Sequence, residues 1–497
     1  MRRIGLDLAL RAPHRAAVFD DDRAIGRPFP VVSTKAGIDS LVERATAGTE
    51  GPCEFVMEPT GLVWMPLAAE LARRGHRTYV PKPQKTYDLR KFYAKHTKTD
   101  GEDASALGRV RHVDPEGVYE LKVPTAAQTT LKFLVKQRAR LVANASKAKQ
   151  RIRSWLQLGN PLLIEAFGDN LFAKVGRAFL RRHLDAFRVC ERGLPQLRRF
   201  FAQHTRGPVD EQQLEQVWAA CQESYALYAE LRAENRLPFD SAALHELVIL
   251  ELDSIEFLEK QAGELETKIT AMFRELDPDQ TLLSVPGVGD VIAPTLEALI
   301  GDIERFPNIN AFCGYTGLVP GTKLTGGKAK PGQRMTKAGP DLLKQYLFLA
   351  AEVARRQDPE LAATYARMIA RGKHHDSVIV IVAHQLARRI YAVLKQRAAS
   401  RRHTSDAASE PARYKLRHSA DGAELTKAEA RDYVRKHYPS KHQQQKEKAA
   451  QIAPANSGSS EDAAIRMRPT SPATALASIA TCGNPAESAV LNSRSHH

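Results

Sequence analysis

Lys98-Thr99-Asp100-Gly101-Glu102-Asp103-Ala104 places two carboxylates three residues apart at the start of an expected helix. Residues i and i+3 share a helical face, so Asp100 and Asp103 can point into the same small volume. Two like charges held that close repel unless a cation lies between them. One reading is capping, with Asp100 as N-cap and Glu102 and Asp103 complementing the helix dipole. The other is a metal site, and the residues preceding this stretch bear on the choice.

Ile4, Leu6, Leu8 and Leu10 alternate with Gly5, Asp7 and Ala9, a strand pattern with one apolar face and Asp7 on the other. Strand signals continue over 14–19 and 24–32, with the turn Asp20-Asp21-Asp22 between them, which predicts a three-stranded meander. A helix is expected over 35–47, then the apolar strand 53–58, broken by Pro59-Thr60-Gly61, which leaves Glu58 at the carboxyl end of a buried strand. A helix over 62–74, a strand over 77–81 and a helical stretch from about Tyr87 lead to the opening motif. Three antiparallel strands followed by helix, strand, helix, strand and helix is the ribonuclease-H-like plan. Asp7, Glu58, Asp100 and Asp103 converge in that plan, and two magnesium ions about 3.5–4 Å apart between them would serve phosphodiester chemistry. Sugar-kinase and actin-like ATPases share this sheet and the Gly-x-Asp opening, but the glycine-rich phosphate loops they need do not appear where that fold requires them.

The composition points to the same class of substrate. The chain has 497 residues, 43% of them hydrophobic, and a formal net charge of +16, with a pI near 9.6. A polyanionic partner is expected, nucleic acid before membrane, because no apolar run reaches transmembrane length. Five scattered cysteines without a CxxC pair argue against structural zinc and for a reducing compartment. The N-terminus enters a strand pattern at once, without a signal-peptide core, so a cytoplasmic location is expected.

Residues 121–164 hold no acidic residue. They read as one long helix with an apolar seam and a cationic remainder that includes Arg138, Lys147 and Arg151. These are candidate phosphate contacts. A second long helix near 248–272 repeats the seam and carries Glu251, Asp253, Glu256, Glu259, Glu264 and Glu266. The two helices can pair as a coiled-coil hairpin within one chain or between chains, and pairing does not exclude nucleic-acid contact.

Further on, Leu282-Leu283-Ser284-Val285-Pro286-Gly287-Val288-Gly289-Asp290 before an apolar helix is a helix-hairpin-helix signature, with Gly287 and Gly289 expected to approach a phosphate. A plain helix turn is the alternative. Phe312-Cys313-Gly314-Tyr315-Thr316-Gly317-Leu318-Val319-Pro320 then leads into a loop containing Lys323, Gly326, Gly327, Lys328, Arg334 and Lys337, expected phosphate contacts unless the loop is merely solvated. His374 and His375 diverge on a helix and make a poor metal pair with His384. From Ala398 the composition becomes polar and low in apolar residues, which predicts a largely disordered tail with one helical candidate at 426–437.

The spaced acids in front, the long helices between, and Pro-Gly-Val-Gly, Gly-Leu-Val-Pro, Thr-Gly-Gly and Thr-Lys-Ala-Gly behind resemble the DEDD insertion-sequence transposases of the one-hundred-and-ten family, also described as bridge-RNA-guided recombinases. The resemblance covers about residues 1–397. It implies a RuvC-like N-terminal domain whose tetrad maps onto Asp7, Glu58, Asp100 and Asp103. It further implies a C-terminal transposase domain with a serine before a glycine, homodimers and homotetramers with composite active sites, and a structured non-coding guide RNA that pairs with donor and target DNA. The serine position is Thr325 here, and no serine occurs between Ser284 and Ser377. Thr325 is therefore the nucleophile candidate, with Thr322 as its alternative.

The expected fold class is α/β plus α. A RuvC-like domain spans 1–115, a helical coiled-coil region 116–280, a mainly helical transposase domain 281–397, and the tail 398–497. The expected function is that of an RNA-guided transposase or site-specific DNA recombinase with two magnesium ions and a hydroxyl nucleophile. A structure-selective junction endonuclease using activated water, and a non-catalytic nucleic-acid-binding protein, are the alternatives.

Overall fold

The structure is a computed structural model. It describes residues 1–93, 99–321, 335–336, 338–402, 411–417 and 422–439, with 83–84, 93, 324–325 and 328–329 described by backbone alone. The chain divides into two compact units, residues 1–129 with 301–307, and residues 130–300 with 308 onward.

The first unit is built on a six-stranded sheet of order β3-β2-β1-β4-β5-β6. Its strands are β1 (Arg2–Asp7), β2 (His14–Asp20), β3 (Arg23–Val31), β4 (Glu54–Met57), β5 (Arg77–Pro81) and β6 (Val118–Glu120). The first three form the expected antiparallel meander, while β1, β4 and β5 run parallel. Parallel neighbours need crossovers, supplied by α1 (Lys35–Thr46) and α2 (Trp64–Arg73); α3 (Pro83–Tyr93) and α4 (Asp100–Val113) follow. The antiparallel edge strand β6 has no counterpart in the sequence reading. It is three residues of Val-Tyr-Glu, too short to show a period, and it exists because Pro81, Val80 and Tyr79 of β5 pair with it.

Strand alternation sorts the two faces. Ile4, Leu6, Leu8, Phe55 and Met57 pack with Ile38 and Leu41 of α1 and Leu67 and Leu71 of α2. Val56 and Tyr79 point the other way, onto Leu107 and Val110 of α4. Each fully buried side chain of this size contributes about 1.5–3 kcal/mol. The α4 face has an unusually close approach at its centre. A Cβ on Gly5 would lie 1.9 Å from the Ala104 carbonyl oxygen and 2.3 Å from the Gly108 nitrogen, so only glycine lets this helix lie directly on β1.

The second unit is helical. Its two longest helices, α5 (Ala126–Gly159, whose first turn belongs to the first unit) and α11 (Ser241–Leu276), pair antiparallel within the chain through Arg138–Glu266, Lys149–Glu259 and Arg151–Glu251. Between them lie α6 (Leu163–Phe167), α7 (Lys174–Arg182), α8 (Ala186–Arg192), α9 (Leu194–His204) and α10 (Glu211–Ala233). They close a core of Phe167, Phe179, Leu214 and Val217 against Ile152 and Leu252.

The C-terminal part of this unit comprises α12 (Ile292–Ile300), α13 (Ile309–Thr316), the two-residue strands β7 (Leu324–Thr325) and β8 (Lys328–Ala329), α14 (Asp341–Ala354), α15 (Pro359–Ala370) and α16 (His375–Arg402). By length and composition α16 could cross a membrane. Its Val378, Ile379, Val382, Leu386 and Ile390 are instead fully buried in this unit, as in a core helix.

The tail was expected to be largely disordered from Ala398 with one helix at 426–437; that helix is α17 (Lys427–His437), and beyond the expectation α16 runs on to Arg402 and β9 (Leu416–Arg417) pairs with β10 (Glu424–Leu425). The apolar residues needed are few but well placed: Ala412, Leu416, Ala430 and Val434 are all buried. Tyr414 anchors the segment, its amide donating to Ser284 Oγ at 2.8 Å and its hydroxyl to Asp358 Oδ2 at 3.0 Å. Burial, with the Asp358 charge beside it, pushes the Tyr414 phenol well above its ordinary range.

Candidate active site

In the parallel register Leu6 stands beside Met57. Asp7 ends β1, and Glu58 follows the last residue of β4, so both acids lie at the carboxyl edge of adjacent strands. Period-two alternation also gives them a common face. Gly5 and Val56, two residues earlier in each strand, both meet α4.

The direction of α4 completes the placement. Arg3 Nη1 lies 3.5 Å from His112 Nδ1, while Gly5 meets Ala104 and Gly108, so the helix runs antiparallel to β1. Four residues of helix rise about 6 Å, and two residues of strand about 6.6 Å. Stepping back from Ala104 to Asp100 therefore matches stepping forward from Gly5 to Asp7. The first turn of α4, with Asp100, Glu102 and Asp103, sits at the edge where Asp7 and Glu58 end.

Capping does not occupy these acids in the expected way. The N-cap is Thr99, whose Oγ1 accepts from the Glu102 amide at 3.3 Å, and Asp100 is the first helical residue. Asp103 forms an ion pair instead, with Arg90 Nη1 of α3 3.1 Å from its Oδ1 and each side chain 20% exposed. Glu102, which the sequence reading treated as a capping charge, has a buried Oε2 without a hydrogen-bond partner among the described residues. Its only signal in the sequence is its place between two better-spaced aspartates.

At the opposite edge of the sheet, Glu54 is buried and takes Arg111 Nε at 2.8 Å and Arg3 Nε at 3.3 Å. Burial pushes its carboxyl up, but the hydrogen bonds and charges of the two arginines outweigh this and hold it below the usual carboxylate range. The Arg111 guanidinium also lies 3.6 Å from the centre of the Tyr79 ring. This network pins the C-terminal end of α4 and so fixes where its first turn falls.

An all-carboxylate donor set suits a hard divalent cation. In residue type and strand edge the acids fit such an ion, and the orphaned oxygen of Glu102 adds a donor. The cage is not closed: among the described residues no three acidic, histidine or cysteine side chains stand close enough together to hold a metal. The Arg90 pair to Asp103 is one physical reason, because a cationic side chain occupies an oxygen that an ion would need.

The second unit distributes the remaining candidates. Arg138 is engaged by Glu266 and Tyr346, and Arg151 by both oxygens of Glu251 at 2.5 and 2.7 Å. Lys147 is exposed. Gly287, at φ +78°, packs inward, where a Cβ would lie 2.1 Å from the Ala350 carbonyl oxygen. Its amide donates to Gln357 Oε1 at 3.1 Å rather than facing solvent. Gly289 is exposed, with open space where a Cβ would stand. Backbone pairing of Thr325 with Lys328 makes a short hairpin; Thr322, Lys323, Gly326, Gly327, Arg334 and Lys337 lie outside the described residues.

Comparison with known proteins yields matches at both ends of the chain. A transposase family model for the IS110-type DEDD group matches residues 4–161, and a model for the transposase IS116/IS110/IS902 family matches residues 279–366. The chain belongs to the IS110 family of DEDD transposases. It is 25% identical over 306 residues to an uncharacterized 43.6 kDa protein of insertion element IS110 from Streptomyces coelicolor, covering 61% of this chain and 72% of that one. It is 22% identical over 398 residues to a 44.8 kDa protein of insertion element IS116 from Streptomyces clavuligerus, covering 79% and 94% of the two chains. A transposase for insertion sequence element IS1328 from Yersinia enterocolitica is 30% identical over 145 residues, 28% of this chain and 42% of that protein. Transposases of this family cut and rejoin DNA, and the first matched segment spans the sheet and α4 while the second covers α12 through most of α15.

Proposed function

We propose that this transposase cuts and rejoins DNA at the carboxyl edge of its N-terminal sheet, guided by a structured RNA. What supports the reading is that Asp7 and Glu58 stand at the carboxyl ends of adjacent strands and that α4, lying on β1, carries its acidic first turn toward the same edge. The resemblance implies donor DNA, target DNA and assembly into homodimers or homotetramers. Asp7, Glu58, Asp100 and Asp103, with Glu102 beside them, would hold magnesium, which when bound supplies charge neutralisation at the scissile phosphate. Strand register would hold Asp7 and Glu58, and the Gly5 contact the acids of α4, so a metal bound here would stand on rigid elements once Asp103 left Arg90. A hydroxyl of the C-terminal domain attacks the phosphate, and Thr325 holds the place of the family serine. The basic loop around it, Lys323 to Lys337, would grip the DNA backbone.

Two experiments test this reading. Asp103→Asn removes one metal-binding charge and should abolish strand cleavage while leaving DNA binding near wild type; undiminished cleavage would sink the tetrad. RNA copurifying with the full chain, expressed with its native flanking DNA, should be one dominant non-coding species from beside the gene. Recovery of bulk cellular RNA alone would remove guidance from the proposal.

A further inference from the structure

Neither family match reaches past residue 366, yet the chain folds again over 411–417 and 422–439. Burial alternates along the first of these stretches. Ala412 and Leu416 are buried with Tyr414 half-buried between them, while Arg413, Lys415 and Arg417 are exposed. In an extended chain alternate residues stand about 6.6 Å apart, close to the step between consecutive phosphates of a nucleic-acid strand.

This module is anchored to the second unit rather than merely tethered to it. Tyr414 is bonded to Ser284 and Asp358, and the Arg389 guanidinium lies 5.5 Å from the centre of its ring. Lys427 Nζ donates to the Leu283 carbonyl at 2.9 Å, and a capping box between Thr426 and Glu429 starts α17. Leu416, Lys427 and Arg431 line a small cleft with Pro286 and with Gln357, whose side chain accepts from the Gly287 amide. The module therefore lies against the turn whose Gly289 is exposed.

The charges it leaves unpaired decide what it can bind. Its described acids are each engaged within the module: Glu424 with Lys415 at 3.1 Å, Asp432 with Arg435 at 3.4 Å, and Glu429 in the cap. Arg413, Arg417, Arg431 and Lys436 are exposed, and no carboxylate among the described residues pairs with them. Cations carried on folded elements without a counter-charge suit a run of phosphates, and the arginine fork matches phosphate geometry. Resting on the reading that this chain cuts and rejoins DNA, we propose that residues 411–439 form an accessory surface for the backbone of duplex DNA, with Arg413, Arg417 and Arg431 as its phosphate contacts. Such contacts carry no sequence information, so the surface adds affinity to any duplex alike.

The test measures the affinity of the full chain, as purified, for a fluorescent duplex of random sequence and for one carrying the element's end, across a range of salt. Each phosphate contact contributes about 0.9 to the slope of log affinity against log salt, so replacing Arg413, Arg417 and Arg431 together by Gln should make it shallower by about 2.7. Between about 50 and 200 mM salt the wild type should then lose about 40-fold more affinity than the variant, equally on both duplexes. Thermal unfolding should match wild type because all three side chains are exposed. A charge-matched control replaces Arg188, Arg198 and Arg236 by Gln, three exposed arginines that each face a carboxylate, and should keep the wild-type slope. An unchanged slope in the first variant, an equal change in the control, or a loss confined to the element's end would each overturn the proposal. Loss of copurifying RNA with the DNA slope intact would assign the surface to RNA and overturn it as well. Asp103→Asn should keep the wild-type slope; cleavage persisting there would overturn the acidic site and leave this surface standing.

Discussion

Gly5→Ala is the smallest change that tests whether the contact between β1 and α4 builds the acidic edge. The added Cβ would stand 1.9 Å from the Ala104 carbonyl oxygen and 2.3 Å from the Gly108 nitrogen, both backbone atoms that no rotamer change can move aside. Ordinary contact needs about 3.4 Å or more, so α4 must lift by roughly 1.5 Å. A shift of that size forfeits much of the packing between α4 and Val56 and Tyr79, and overpacking a tight core costs about 1–3 kcal/mol. The cost here should reach the top of that range, near 3 kcal/mol, because both clashing atoms are main chain. The displacement also carries Asp100, Glu102 and Asp103 off the level of Asp7 and Glu58, and a misplacement of about 1 Å can cost a hundredfold in rate. Hydrogen exchange should show lost protection over residues 104–110 with the second unit unchanged, and strand cleavage should fall by about two orders of magnitude. Wild-type protection in α4 together with wild-type cleavage would refute the reasoning, since it would mean that α4 can rise from the sheet without consequence.

Three further outcomes follow from other contacts. Arg90→Gln should tighten Mn²⁺ binding severalfold, since a partly exposed ion pair contributes about 0.5–1 kcal/mol; unchanged or weaker binding in a titration would show that Arg90 does not compete for Asp103. Glu54→Gln should destabilise the first unit by about 2–3 kcal/mol at neutral pH by leaving Arg3 and Arg111 without their counter-charge. Because the folded carboxyl is depressed, its contribution is complete above the unfolded value and is lost as pH falls through the lower folded value; the gap between wild type and variant in urea melts should therefore narrow as pH falls below the ordinary glutamate range. Gly287→Ala should unfold the C-terminal part of the second unit while Gly289→Ala leaves its melting unchanged, since one Cβ meets the Ala350 carbonyl and the other meets open space; equal melting of the two variants would contradict the inward packing of Gly287.

The sheet of the first unit was legible because its signals are local. Alternation in Ile4-Gly5-Leu6-Asp7-Leu8 and the break at Pro59-Thr60-Gly61 are written in consecutive residues, and each fixes an edge on which an acid must fall. The Arg90 pair to Asp103 joins a helix to a turn across a distance that no periodicity records, and the sequence offers no sign of it. The inward turn of Gly287 was hidden for a related reason. Pro-Gly-Val-Gly reads the same whether its amides meet a phosphate or a glutamine, and the choice rests with Gln357, seventy positions later. Of the tail, the helix expected at 426–437 is present as α17, while the anchoring of 411–417 was hidden because composition averages over a window and Ala412, Leu416, Ala430 and Val434 are buried one at a time.

Charge was the least transferable signal of all. A net charge of +16 correctly directs attention to nucleic acid, yet it does not say which cations face it. The acid-free helix α5 read both as a phosphate track and as a partner for the acidic α11, and the pairing is present: α11 presents Glu251, Glu259 and Glu266 to Arg151, Lys149 and Arg138 in antiparallel register. Those pairs hold the two helices in one arrangement and reduce what α5 can offer a phosphate. The turn between α15 and α16 is far shorter, and Arg371, Lys373 and His374 there are exposed, with Asp376 3.7 Å from the His374 ring. Lys132, Lys136, Arg140 and Lys147 of α5 stay exposed beside the paired side, so the helix still offers cations, because what a polyanion meets is the charge left after the protein has neutralised its own.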